Sequence, residues 1–288
     1  MIRPDWLDPA YPFASHYQDV GAGRLHYLDE GDGPPVVIVH GTPSWSFLYR
    51  HLVQDLMDRY RCVASDHLGF GLSDKPAGFP YTPMAHAENL STFIGALGLK
   101  DIVLVVHDFG GPIGLAYALE HPENVRALVV MNAWLWPNET LARAGKLLGN
   151  PLGRLLYKQF NVSVEVLLRR AAFTDKKLLT KPLLEHYRGP FRARASREPL
   201  WALVDTVGAS NRWLETLWAE RAAIADKPAQ LIWGTKDKLV PLAYLARWQG
   251  LFPQAEVLEL DAGHFVQEEA ARGVGGAVKR FLGALEGL

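Results

Sequence analysis

Four short, almost wholly apolar runs constrain this chain more than any other feature: residues 35 to 39 (Pro-Val-Val-Ile-Val), 61 to 65 (Arg-Cys-Val-Ala-Ser), 102 to 106 (Ile-Val-Leu-Val-Val) and 126 to 131 (Arg-Ala-Leu-Val-Val-Met). Runs without polar alternation suit strands buried on both faces, which requires a parallel sheet covered by helices. Helix-like stretches near 45–58, 81–98 and 110–121 separate them, so right-handed βαβ crossovers are the natural connection. The pattern resumes after about residue 226, with 229–233 and 255–260 as strands and a closing helix near 269–286. Upstream, 17–20 and 24–28 read as an antiparallel hairpin at the sheet edge, joined through Gly21-Ala22-Gly23.

Between the two blocks the strand signal disappears. Helical patches such as 162–172 and 178–186 take over, broken by Pro182 and Gly189-Pro190. The expected organisation is an α/β core of residues 1–136 and 223–288, with residues 137–222 inserted as a helical cap. A chain of 288 residues is long enough for that. From Arg143 to Arg197 there are thirteen Lys or Arg against three Asp or Glu. The plain meaning is a solvated basic face; the alternatives are steering of anionic ligands or a partner surface.

The whole chain has a formal net charge of -1, which gives no reason to invoke nucleic acid. No apolar run approaches the length of a membrane span, and Met1–Asp8 lacks the apolar core of a signal peptide, so no membrane partner and a cytoplasmic location are expected. Cys62 is the single cysteine, which excludes an internal disulfide and a multi-thiolate metal site.

Function enters at Leu104-Val105-Val106-His107-Asp108-Phe109-Gly110-Gly111, where a strand turns into a helix. In the hydrolase version of that turn a nucleophile sits at the bend, usually serine. Here the residue is Asp108. A carboxylate needs no base before it attacks, so it can displace a leaving group from an sp³ carbon and form an alkyl ester, leaving a histidine to activate water against that ester. The ordinary alternative is an Asp N-cap.

The turn does not stand alone. Asp237 follows one later strand and His264 the next, giving the chain order nucleophile, acid, histidine. Separately they read as a turn residue and a loop residue; together at strand ends they read as a triad. After the strand at 35–39, His40-Gly41-Thr42-Pro43 can aim the Thr42 backbone N–H into a pocket, and the Phe109 N–H supplies a second oxyanion donor. His40 and His107 are expected to be structural, and Asp66 to shape the pocket floor. The chain has no Gly-x-Ser-x-Gly, no His-Glu-x-x-His and no P-loop, so serine esterase, zinc and nucleotide readings lack support; no metal and no cofactor are expected.

These residues resemble the haloalkane dehalogenase branch of the α/β-hydrolase superfamily, with epoxide hydrolases as close relatives. The resemblance rests on residues 40–50 (His-Gly-Thr-Pro-Ser-Trp-Ser-Phe-Leu-Tyr-Arg), 69–76, 106–111 and 261–268, and inside the cap on Tyr187-Arg188-Gly189-Pro190-Phe191. It implies Asp108 as nucleophile, His264 as base for the hydrolytic water and Asp237 as its partner. Some dehalogenases take the acid from the end of the strand before the cap, where this chain has Asn132.

The chain departs from the family next to the nucleophile. Dehalogenases usually carry Trp there, to grip the halide, and a second donor from an Asn in the oxyanion turn or from a cap Trp. This chain has Phe109 and Thr42. Losing a charge-assisted hydrogen bond costs about 1.5–3 kcal/mol, or roughly tenfold or more in rate. Trp134, Trp136 and the cap residues Trp201, Trp213 and Trp218 are candidate replacements. Tyr157 and Tyr187 are the phenols that an epoxide hydrolase would use. The expected protein is a monomeric or weakly dimeric hydrolase acting with water on a small, largely apolar substrate. Epoxide hydrolysis is the alternative, and a ligand-binding protein that has lost turnover the second.

Overall fold

The apolar runs become the middle of one eight-stranded sheet. The computed structural model describes residues 4–7 and 9–287; Met1–Arg3 and Asp8, part of the segment read above for a signal peptide, lie outside the described residues. The strands are β1 (His16–Asp19), β2 (Arg24–Glu30), β3 (Pro35–Val39), β4 (Arg61–Ser65), β5 (Ile102–Asp108), β6 (Val125–Ala133), β7 (Ala229–Gly234) and β8 (Glu256–Leu260). Their spatial order is β1-β2-β4-β3-β5-β6-β7-β8. β1 and β2 pair antiparallel, as does β2 with β4; all later pairings are parallel. Every residue of β5 and β7 is buried, as uninterrupted apolar strands require.

Helices α1 (Arg50–Leu56), α2 (Pro83–Ala96) and α3 (Gly110–Glu120) connect the first parallel strands. The stretch read as one helix over 45–58 splits into a 3₁₀ turn, Ser46–Tyr49, and α1. Between β6 and β7 there is no strand among the described residues. That stretch holds α4 (Glu139–Leu148), α5 (Pro151–Phe160), a π-helical segment (Ser163–Ala172), α6 (Lys181–Arg188), α7 (Glu198–Thr206) and α8 (Asn211–Ala219). α6 starts at Lys181, three residues later than the apolar pattern suggested. Thr180 caps it, and Pro182 falls in the first turn, where a missing N–H costs nothing. After β7 come α9 (Ala243–Leu251), which the sequence reading did not anticipate, then α10 (Val266–Glu269) and α11 (Ala271–Leu285).

Two segments singled out by resemblance clasp the core to this helical layer. The Trp45 indole donates to the His186 carbonyl at 2.9 Å, and the Phe47 ring stacks on His186 with centroids 4.2 Å apart. Beneath them Arg50 forms a two-pronged pair with Glu268 at 2.6 and 2.8 Å, and the Tyr187 hydroxyl donates to the same carboxylate. Because β3, β5, β6, β7 and β8 run parallel side by side, the loops at their C-terminal ends converge on one edge of the sheet.

Candidate active site

Asp108 ends β5 with φ at +53°, in the left-handed region that a β-carbon resists. The bend survives because its neighbours have no side chains. A β-carbon at Gly110 would run into the Val39 carbonyl, and one at Gly41 into the Asp108 carboxylate itself. The carboxylate is thereby driven against the turn after β3. Its Oδ1 accepts the Thr42 N–H at 2.9 Å, and its Oδ2 lies 3.2 Å from His264 Nε2. Phe109 is the N-cap residue of α3, so its N–H belongs to the open first turn of that helix.

His264 is fully buried in the loop between β8 and α10, and three contacts fix its orientation. Nδ1 lies 2.7 Å from Asp237 Oδ2, the backbone N–H donates to the Ala172 carbonyl at 2.9 Å, and the His264 carbonyl takes a 2.9 Å contact from His107 Nε2. His107 therefore points away from Asp108 and holds the backbone of His264. Asp237 is held in turn by the Leu239 and Val240 N–H groups on Oδ1 and by Asn132 Nδ2 on Oδ2, at 2.7, 3.0 and 2.7 Å. Asn132, itself at φ +35°, occupies the other possible position for the acid and serves instead to grip Asp237.

Electrostatics follow from this burial. For Asp237, desolvation alone would raise the pKa, but the imidazole and the two amides outweigh it and hold the carboxyl below the usual range. For His264, burial opposes the charge, yet Asp237 and Asp108 overcome it and push the pKa up to about 10. The resting imidazole is thus protonated between two carboxylates. Neutralising Asp108 would remove one of those charges together with its contact to Nε2 and lower the affinity of His264 for that proton.

The space above Asp108 is a cavity of about 90 Å³. Thr42, Phe109, Trp134 and His264 line it with Asp108; the helical layer contributes Leu141, Ser163, Leu167, Leu168 and Val204, and the core adds Leu239, Val240 and Phe265. These apolar walls were not identified from sequence. Leu141 and the 163–172 segment carried only a general helical pattern, which does not say which residues face a cavity.

Three lining residues hold buried polar atoms without a hydrogen-bond partner among the described residues: the Trp134 indole Nε1, the Thr42 hydroxyl and His264 Nε2, of which the last faces Asp108 Oδ2 at 3.2 Å. Trp134 packs edge-on against Phe109, with centroids 5.1 Å apart. Other candidates lie elsewhere. Trp136 is not in the cavity wall; it packs among Trp218, Tyr244 and Trp248. Tyr187 is also outside the wall, because its hydroxyl is committed to Glu268 at 2.6 Å. Tyr157 is buried away from it, and Trp201 donates to the Leu148 carbonyl. Asp66 does not form the floor. It is buried behind the turn after β3, with His26 at 2.8 Å and the Ser46 and Leu72 amides as partners. His40 holds that turn through the Gly41 carbonyl at 2.7 Å.

The sequence profile of the alpha/beta hydrolase fold matches residues 34–271. Haloalkane dehalogenase 2 of Mycobacterium tuberculosis (strain CDC 1551 / Oshkosh) is 38% identical over 273 residues, spanning 93% of this chain and 94% of its own length. The cis-3-alkyl-4-alkyloxetan-2-one decarboxylase of Shewanella oneidensis is 36% identical, spanning 98% of this chain and 92% of its own. Among solved structures, haloalkane dehalogenase DbeA from Bradyrhizobium elkani USDA94 superposes with a TM-score of 0.84 at 26% identity, covering 96% of this chain and 99% of that one.

Proposed function

The chain belongs to the α/β-hydrolase fold family as a haloalkane dehalogenase-like hydrolase, and from that premise we propose that it cleaves carbon–halogen bonds of short haloalkanes. Asp108 attacks the sp³ carbon from the side opposite the halogen and forms an alkyl ester. His264, partnered by Asp237, then takes a proton from water as that water attacks the ester carbonyl. The Thr42 and Phe109 N–H groups stabilise the oxyanion that develops on Asp108. Residues 137–222 act as a cap that closes over the reacting atoms. Water is the second substrate, no cofactor is required, and the protein works in the cytoplasm as a monomer or weak dimer.

One observation carries the leaving group. Trp134 Nε1 and Thr42 Oγ1 are buried donors without partners, and both residues line the cavity that holds the nucleophile. A buried donor left unpaired is costly, and a departing anion is the partner that would satisfy it. The indole replaces the one that Phe109 cannot provide. Among the described residues no tyrosine lines the cavity, so epoxide opening lacks the phenols that would protonate its alkoxide. Apart from Asp108, His264, Thr42 and Ser163 the walls are apolar, which suits a hydrocarbon substrate.

A second reading is ring opening of a small oxetan-2-one, the substrate class printed in the names of two relatives at 36% and 34% identity. Attack by Asp108 at the ring sp³ carbon would release a carboxylate, which a hydroxyl and an indole N–H accommodate as well as a halide. The halide reading stands first because relatives at 38% identity and the solved structure at a TM-score of 0.84 are haloalkane dehalogenases.

The test is a panel of short 1-haloalkanes, epoxides and oxetan-2-ones assayed with the parent protein and Trp134→Phe. Halide release that falls roughly tenfold or more in the variant is the expected result. Diol formation, carbon dioxide release or binding without product would replace this reading with epoxide hydrolysis, oxetanone decarboxylation or ligand binding respectively.

A further inference from the structure

We propose that the outward face of α5, with the end of α4, docks on an anionic lipid surface, a role that goes beyond the proposed hydrolysis. Of the ten exposed large hydrophobic residues among those described, five fall within residues 147–160: Leu147, Leu152, Leu155, Leu156 and Phe160, with Leu147 74% and Leu152 65% exposed. At 100° per residue, Leu152, Leu155, Leu156 and Phe160 share one side of α5. An amphipathic helix of a water-bathed domain normally turns that side inward. Here the inward side is only Gly153 and Tyr157.

The helix is held in this orientation by its polar edge. Arg154 and Lys158 both pair with Glu198 at the start of α7, at 2.6 and 3.1 Å, and Arg197 donates to the Lys158 and Gln159 carbonyls. Asn150 caps the first turn by accepting the Leu152 and Gly153 N–H groups. α5 is therefore a fixed ridge with its leucines and phenylalanine facing outward.

The surrounding charge selects the occupant. Exposed Arg143 and Lys146 on α4 and exposed Arg194 accompany the ridge, outside the ion pairs that tie Arg154 and Lys158 to Glu198. A second copy presenting the same face would meet like charge, whereas an anionic leaflet offers apolar depth beneath negative headgroups. No helix among the described residues is long and apolar enough to cross a membrane. α4 spans both the ridge and the cavity, since Leu141 lines the cavity wall and Leu147 lies in the last turn of the same helix.

Vesicle co-sedimentation reads docking without reference to catalysis. The parent protein is compared with Leu152→Ser/Leu155→Ser/Phe160→Ser on phosphatidylcholine vesicles with and without phosphatidylglycerol. Circular dichroism melting confirms that the variant folds; if it does not, Arg143→Glu/Lys146→Glu takes its place. The expected result is roughly tenfold more parent protein on the anionic vesicles, with either variant returned to the neutral-vesicle level. Equal pelleting of the parent on both vesicles overturns the proposal, as does undiminished binding of a folded apolar variant. A dimer in sedimentation velocity that the apolar variant dissolves, without vesicle binding, would assign the ridge to a second copy instead.

Discussion

At Asp108 a carboxylate is kept at φ +53° against the preference of its own β-carbon, and its two oxygens are divided between the Thr42 amide and His264. In the proposed mechanism that division separates two half-reactions by the residues each requires. His264→Phe should leave alkylation intact and stop hydrolysis; intact-mass spectrometry after exposure to a haloalkane should then show a stable adduct on Asp108, and unmodified protein would contradict the assigned roles. Trp134→Phe should slow halide departure roughly tenfold or more, and more for chloride than for iodide, because the better leaving group leans less on the donor. Much of this was legible in sequence. A carboxylate at a strand-to-helix turn, an acid and a histidine after later strands, and an indole near the cap boundary are local signals. The Thr42 hydroxyl was not, because the turn after β3 drew attention to its backbone N–H as a candidate oxyanion donor. Nor was the loss of Tyr187 to Glu268, a partner 81 positions away.

At the scale of elements, close packing of β3, the turn after it and the start of α3 sets the bend. Gly110→Ala would force a methyl group into the Val39 carbonyl and should cost about 1–3 kcal/mol, read as a lower urea midpoint with unchanged slope. The clasp joining α1, α6 and α10 makes a larger prediction. Glu268→Gln strips a buried guanidinium of its counter-charge and should cost about 3–5 kcal/mol, while Arg50→Met/Glu268→Leu should recover most of that; unfolding curves for both variants check the order. The strands were legible because burial on both faces leaves a pattern that few other structures share. The direction of α5 was not. Amphipathicity locates an apolar side, but only the Glu198 anchor, 40 positions from Lys158, decides that the side faces out.

For the whole molecule, the coupled charges at the site tie stability to pH. The His264 pKa is raised to about 10 from 6.5, so its contribution is complete below 6.5 and is lost as pH rises through about 10. The Asp237 pKa is lowered, so its contribution is present above the ordinary carboxylate value and is lost as pH falls through the folded one. Thermal midpoints should therefore fall on both sides of a plateau that ends near pH 6.5, and Asp108→Asn should weaken the alkaline decline by removing one of the charges that hold the His264 proton. The central claim is that the substrate carbon passes through an ester on Asp108. A single turnover in ¹⁸O-labelled water, followed by mass spectrometry of the peptide containing Asp108, measures it directly: one heavy oxygen in the Asp108 carboxylate is the predicted result, and heavy oxygen in the alcohol product alone would contradict it.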